Sequence, residues 1–322
     1  MQTRKLPHTD LTVSRACFGA MTFGGQTDEP TAARMIDICL DHGINFFDTA
    51  NAYNKGQSEV ILGKILKGRR NGLIVASKVG MKTGETAGAS PLSSKSILAN
   101  IDATLARLET DYLDIYYFHL PDYEAPLEES LEAMHQVVKA GKVRYAGTSN
   151  FAAWQAEQAL WISEKKGYTA PYLSQPMYNL LARGIEQEWI PFCKAFDIPM
   201  IVYNPLAGGL LTGKQNRERP LTGTRFDANQ MYLDRYWHPA YFDAVDELTA
   251  IAQKAGRSVI DMALNWLLFH TPTDCVLLGA SKIPQLEQNL EVFERGPLDA
   301  ETVAACDRVW QNLRGVTPKY NR

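Results

Sequence analysis

Short apolar runs alternate with amphipathic stretches along most of the chain. The runs cover residues 16–20, 44–48, 73–78, 113–119, 143–147, 172–175, 200–203 and 275–278, eight in all. Continuous runs of this length suit strands buried on both faces. Between them, apolar positions recur with helical spacing. Ala32, Met35, Ile36, Cys39 and Leu40 form one stripe, with Gly43 as its C-terminal cap. Ile97, Ile101, Leu105 and Leu108 form a second, and Leu127, Leu131, Met134 and Val138 a third, closed by Gly141. Ser258 and Asp261 read as a capping box opening a helix over 259–269, which Pro272 ends. Strand–helix alternation predicts parallel strands. Eight such units with no linker between them predict a closed (β/α)8 TIM barrel, a single domain over 1–322, rather than an open doubly wound sheet.

Three pieces fall outside the repeat. Residues 4–6 and 11–13 predict a hairpin before the barrel. Residues 206–239 form a long connection after the seventh strand, without periodicity of its own. Residues 299–313 predict an added C-terminal helix.

Composition narrows the class of partner. Hydrophobic residues make up 45% of the chain, enough for a sizeable core. A net charge of −3 gives no footing for nucleic acid or a membrane surface. No apolar stretch is long enough to span a bilayer, and the first residues show no signal-type apolar run. The five cysteines are scattered and without CxxC spacing, which predicts reduced thiols, a cytoplasmic location and no metal site.

In a TIM barrel the chemistry sits at the C-terminal ends of the strands. There the chain carries Asp48 and nearby Tyr53, then Lys78, His119, Ser149, Asn150, Gln175 and Tyr203. A lysine ending a strand buried on both faces needs a partner, and Asp48, one strand earlier, is at hand. A cation against a tyrosine stabilises the phenolate, so Tyr53 is expected to have a lowered pKa and to serve as a general acid. His119 would then donate to a carbonyl oxygen and orient it. A carbonyl so held is polarised for hydride attack, and hydride has to come from a cofactor.

The dinucleotide fingerprint GxGxxG is absent, so a cofactor must be held in another way. Tyr203 offers a stacking face, and Ser149, Asn150 and Gln175 offer amide-type hydrogen bonds. Met21 and Thr22, after the first strand, also face this rim. Small residues and Lys282 open a helix in the segment Gly279–Asn289, predicting an anion site on free N–H groups. Lys282 there favours NADPH over NADH. The stretch Gly208-Gly-Leu-Leu-Thr-Gly213-Lys214 matches GxxxxGK, but Gln215 stands where a nucleotide-hydrolysing loop needs Ser or Thr. It reads instead as a strap across a pyrophosphate.

These motifs resemble the aldo-keto reductases. The matching pieces are Phe46-Phe-Asp48-Thr-Ala-Asn-Ala-Tyr53, Ala76-Ser-Lys78, Tyr117-Phe-His119, Gly147-Thr-Ser-Asn150 and Gly279–Asn289. The resemblance implies Tyr53 as proton donor, Asp48 and Lys78 as its tuning pair and His119 as carbonyl orienter. It implies Ser149, Asn150 and Gln175 on the nicotinamide carboxamide, and Tyr203 under the ring. Asn204, Leu206, Gly208, Leu210, Gly213 and Lys214 would lie along the pyrophosphate. Gly279, Ser281, Lys282, Gln285, Gln288 and Asn289 would line the adenosine phosphate end. The motifs Gln175-Pro-Met-Tyr-Asn and Gln285-Leu-Glu-Gln-Asn-Leu are similar to the aflatoxin-aldehyde and succinic semialdehyde reductase subgroup, whose members tend to dimerise. By that likeness Arg235 and the terminal Arg322 would clamp a substrate carboxylate. Two other classes share parts of the pattern: cofactor-binding potassium-channel β subunits, and Schiff-base lyases using a lysine such as Lys78.

Overall fold

The computed structural model describes all residues of the chain except 84, 85, 87, 228, 319, 320 and 322. A hairpin comes first: β1 (Thr3–Lys5) pairs antiparallel with β2 (Thr12–Ser14). The barrel strands are β3 (Ala16–Gly19), β4 (Phe46–Asp48), β5 (Ile74–Val79), β6 (Leu113–Phe118), β7 (Val143–Ser149), β8 (Leu173–Gln175), β9 (Ile201–Val202) and β10 (Cys275–Gly279). They form one eight-stranded parallel sheet in the order β8-β7-β6-β5-β4-β3-β10-β9. Parallel bridges Ser174–Met200 and Met177–Tyr203 join its two edges, so the sheet is nearly closed into the expected barrel.

Around the sheet lie α1 (Glu29–Asp41), α2 (Gln57–Leu66), α3 (Ser94–Arg107), α4 (Leu127–Lys139), α5 (Ala153–Lys166) and α6 (Trp189–Ala195). They are followed by α7 (Gln230–Tyr236), α8 (Pro239–Lys254), α9 (Val259–His270), α10 (Ile283–Leu290) and α11 (Ala300–Arg314). Local chemistry sets their ends. Asp28 accepts from the Thr31 N–H ahead of α1, and Ser258 accepts from Asp261 N–H ahead of α9. The long connection is more ordered than its composition predicts. It contains the turn Ala207–Thr212 and the helix α7, whose Tyr232 and Tyr236 are buried. Propensity marks neither element. Tertiary burial of aromatic residues supplies the order. No helix among the described residues is long and apolar enough to cross a membrane.

Strand alternation sorts the core into two layers. One parity of each strand packs against the helices, as Phe18, Phe47, Val75 and Phe118 do. The other fills the barrel with Cys17, Phe46, Ala76, Ile115, Tyr117, Leu173, Ile201 and Cys275. Leu6, Leu11 and Val13 of the hairpin join this inner layer and plug the barrel's N-terminal end. Counting onward in steps of two along the inner parity reaches Asp48, Lys78, His119 and Gln175. The same periodicity that builds the core therefore aims these polar side chains into the C-terminal mouth.

Candidate active site

Asp48 and Lys78 are each 1% exposed and form an ion pair inside the barrel mouth. They are not level, as equal strand position would predict. Asp48 lies opposite Ala76 in the register, and Lys78 is two residues further on, opposite Tyr117. The lysine's long stem closes the offset. Its Nζ also donates to the Thr49 carbonyl at 2.7 Å. Gln175 Nε2 donates to the second Asp48 oxygen at 2.9 Å, so both carboxylate oxygens are occupied. Burial alone would pull the Lys78 pKa down, but the Asp48 charge, Tyr53 and their hydrogen bonds outweigh it and leave it raised. Lys78 is a fixed ammonium, which argues against a Schiff-base role requiring the free amine.

Tyr53 arrives from a turn, Tyr53–Gly56, rather than a strand. Asn54 and Lys55 in it hold left-handed φ of 48° and 57°, and Gly56 follows at 84°. Asn54 anchors this unusual path by donating to the Met21 and Phe23 carbonyls at 2.9 and 2.8 Å. The result brings the Tyr53 hydroxyl to 3.4 Å from Lys78 Nζ. The expected lowering of the phenol pKa is not found. Burial pushes it above its ordinary value, and the Lys78 charge offsets only part of the rise. Desolvation wins because the half-buried phenol has lost part of its hydration while the ammonium is already shared with Asp48. Tyr53 is therefore protonated at neutral pH.

The His119 ring meets Tyr53 edge to face, with centroids 5.7 Å apart. Burial, helped by the Lys78 charge, lowers its pKa to about 3, so the imidazole is neutral. Nδ1 is buried without a partner. A neutral ring has one N–H, and Nε2 is the nitrogen left to carry it toward the mouth.

The other rim residues form a chain of hydrogen bonds. Ser149 Oγ donates to the Gln175 carbonyl at 2.9 Å, and Asn150 Nδ2 donates to Ser149 Oγ and the His119 carbonyl, both at 2.9 Å. Tyr203 donates to Asn150 Oδ1 at 2.6 Å. The Arg235 guanidinium lies 5.9 Å from the Tyr232 ring centre, and its charge opposes the burial-driven rise in the Tyr203 pKa, which places it at the mouth. Arg322 lies outside the described residues.

Beside the mouth a cavity of about 260 Å³ runs between the strap and β10. Asn204, Leu206, Gly208, Lys214, Gly279, Ser281, Gln285, Gln288 and Asn289 line it, as does Thr22. Leu210 is instead packed in the core, and Gly213 and Lys282 lie outside the lining. Met21 also stays outside it, its carbonyl taken by Asn54. Two of the N–H groups opening α10 are taken within the chain. Ser281 and Lys282 N–H donate to Gln285 Oε1 at 2.9 and 3.2 Å, because a side chain three or four residues on can cap its own helix. Arg225 lines the cavity and was missed. A lone arginine in an irregular stretch carries no sequence signal.

Comparison with known proteins gives the family. The chain matches the aldo/keto reductase family model over residues 15–311 and belongs to that family. It is 35% identical to aldo-keto reductase family 7 member A3 of Homo sapiens, over 94% of this chain and 96% of that protein. It is 34% identical to aflatoxin B1 aldehyde reductase member 2 of Mus musculus, over 94% of this chain and 86% of that one. A probable voltage-gated potassium channel subunit beta of Arabidopsis thaliana is 33% identical over 92% and 93% of the respective chains. The chain is thus an oxidoreductase of a family that acts on small carbonyl compounds and generally uses a nicotinamide cofactor.

The cavity fits such a group. Lys214 and Arg225 line it, and no carboxylate does among the described residues. That is a donor set for phosphate. Gly208 holds φ +70°, and a Cβ there would lie 2.7 Å from the Tyr232 ring, so the strap can pass only as glycine.

Proposed function

We propose that this chain, acting as one barrel over 1–322, is an NADPH-dependent reductase of aldehydes and ketones. The observation that carries the proposal is the Tyr53 hydroxyl 3.4 Å from a buried ammonium, with a neutral His119 beside it. A bound reduced nicotinamide supplies the hydride. The chain supplies the proton: the carbonyl oxygen lies between Tyr53 and His119, and the Tyr53 O–H bond breaks as the new O–H bond of the alcohol forms. The phenolate left behind faces Lys78, whose ammonium compensates the charge, while Asp48 holds that ammonium in place. His119, neutral and partnerless at Nδ1, donates through Nε2 and polarises the carbonyl.

Ser149, Asn150, Gln175 and Tyr203 hold the nicotinamide end. Leu210 and Gly213 keep the strap's shape beneath Asn204, Leu206, Gly208 and Lys214. Ser281, Gln285, Gln288 and Asn289 take the adenosine end with Gly279, and Lys282 and Arg225 favour the additional phosphate of NADPH. Arg235, with Arg322, recognises a carboxylate on the substrate, which suits semialdehydes. The similarity to aldehyde reductases supports this substrate class. A cytoplasmic homodimer completes the reading.

Fluorescence titration with NADPH and NADH, then NADPH oxidation with an aldehyde panel including succinic semialdehyde, tests the proposal. Turnover with the semialdehyde supports it; NADPH binding without turnover of any carbonyl refutes it. That second result would favour a cofactor-binding regulatory subunit of the potassium-channel β type, a reading supported by the plant relative.

A further inference from the structure

A second buried carboxylate, Glu59, lies behind the Tyr53–Lys78 pair and is 0% exposed. Its Oε1 accepts from Ser77 Oγ at 2.5 Å, and its Oε2 accepts from Arg107 Nε at 2.6 Å. Replacing a buried ion pair by apolar residues of similar size is often neutral for stability, so the pair's geometry is the feature to read. Both of its partners lead to the site. Ser77 precedes Lys78 on β5 and points to the helix side as Lys78 points into the barrel. Glu59 sits in the first turn of α2, directly after the turn that carries Tyr53. Arg107 crosses that turn: a Cβ on Gly56 would meet its Cδ at 2.9 Å. Next to Glu59, Ser58 Oγ donates to the Ala20 carbonyl at 2.7 Å and pairs with Thr49 Oγ1 at 2.7 Å. Thr49 in turn gives its carbonyl to Lys78.

One carboxylate on the helix onto which the phenol's turn runs thus ties that helix to the strand that bears the ammonium and to the end of α3. The phenol–ammonium contact of 3.4 Å is long for a hydrogen bond, so a small outward shift of α2 breaks it. We infer that Glu59 is a positioning residue for the reaction: through Ser77 and Arg107 it sets the distance between the Tyr53 phenol and the Lys78 ammonium. The inference rests on Tyr53 being the proton donor.

Glu59→Gln and Ser77→Ala are the test, each assayed for NADPH affinity and for the pH dependence of kcat/KM in alcohol oxidation, where the phenolate accepts the proton. Moving the phenol away from the ammonium raises its pKa. The acidic limb should shift upward by about one pH unit. The turnover number for carbonyl reduction should fall about a hundred-fold, the scale of a misplacement near 1 Å. NADPH affinity should stay within about two-fold. An unshifted limb, or a loss of turnover matched by an equal loss of NADPH affinity, overturns the inference. Should Glu59→Gln not fold, Ser77→Ala decides, since it leaves the Glu59–Arg107 pair in place. Tyr53→Phe assayed in parallel separates the two claims. An inactive Tyr53→Phe beside a normal Glu59→Gln and Ser77→Ala sinks only the positioning role, whereas an active Tyr53→Phe sinks the proton-donor reading itself.

Discussion

Replacing Lys78 with methionine keeps the length and removes the charge. Asp48, 1% exposed, would then keep only Gln175 as a hydrogen-bonding partner. Removing one member of a buried ion pair costs about 3–5 kcal/mol. A folded domain has about 5–15 kcal/mol in total, so the variant should be folded but markedly weakened at neutral pH. The sign of the pH dependence follows from Asp48. Burial already raises its pKa, and without Lys78 nothing cationic opposes that rise. A carboxyl with a raised folded pKa favours folding below its unfolded value and loses that advantage as pH climbs through the folded value. The deficit of Lys78→Met should therefore be small near pH 4 and grow toward pH 7. Urea unfolding at several pH values measures it, and Lys78→Met with Asp48→Asn should recover most of the loss. A deficit below about 1 kcal/mol, flat from pH 4 to 7, would refute the buried-pair argument.

Other consequences are open to direct test. His119 has a folded pKa near 3, below its unfolded value, so its stabilising contribution is full above about pH 6.5 and declines as the solution is acidified toward 3. His119→Gln should flatten that part of the acid-unfolding curve, and wild-type carbonyl reduction should show no histidine titration between about pH 5 and 8. Arg225→Ala should weaken NADPH about ten-fold or more, with a smaller effect on NADH, by fluorescence titration. Gly208→Ala forces a left-handed residue against the Tyr232 ring, costing about 1–2 kcal/mol for the backbone alone, and should lower both the melting temperature and the NADPH affinity, by thermal melting and fluorescence titration.

The barrel strands were legible because burial on both faces writes continuous apolar runs, a signal independent of distant partners. The inner polar residues were legible for the same reason: Lys78 ends such a run and has to be paired. The Tyr53 turn, by contrast, depends on left-handed residues anchored by Asn54, and no local propensity encodes that anchor. The order in the long connection was hidden too. Its α7 exists because Tyr232 and Tyr236 find a core to enter, which only the assembled barrel provides. The direction of the Tyr53 pKa was misread because a neighbouring cation is visible in a sequence, whereas desolvation is a property of the packed site. Gln285 capping its own helix was likewise invisible, since many side chains at that spacing leave the N–H groups open.

The central claim is that Tyr53 delivers the proton from beside Lys78. Single-turnover reduction of an aldehyde by Tyr53→Phe, with NADPH affinity measured on the same protein, tests it most directly. The account predicts a rate lower by about 10²–10⁴-fold with NADPH affinity preserved. A rate within about three-fold of the wild type, at saturating NADPH, would contradict it.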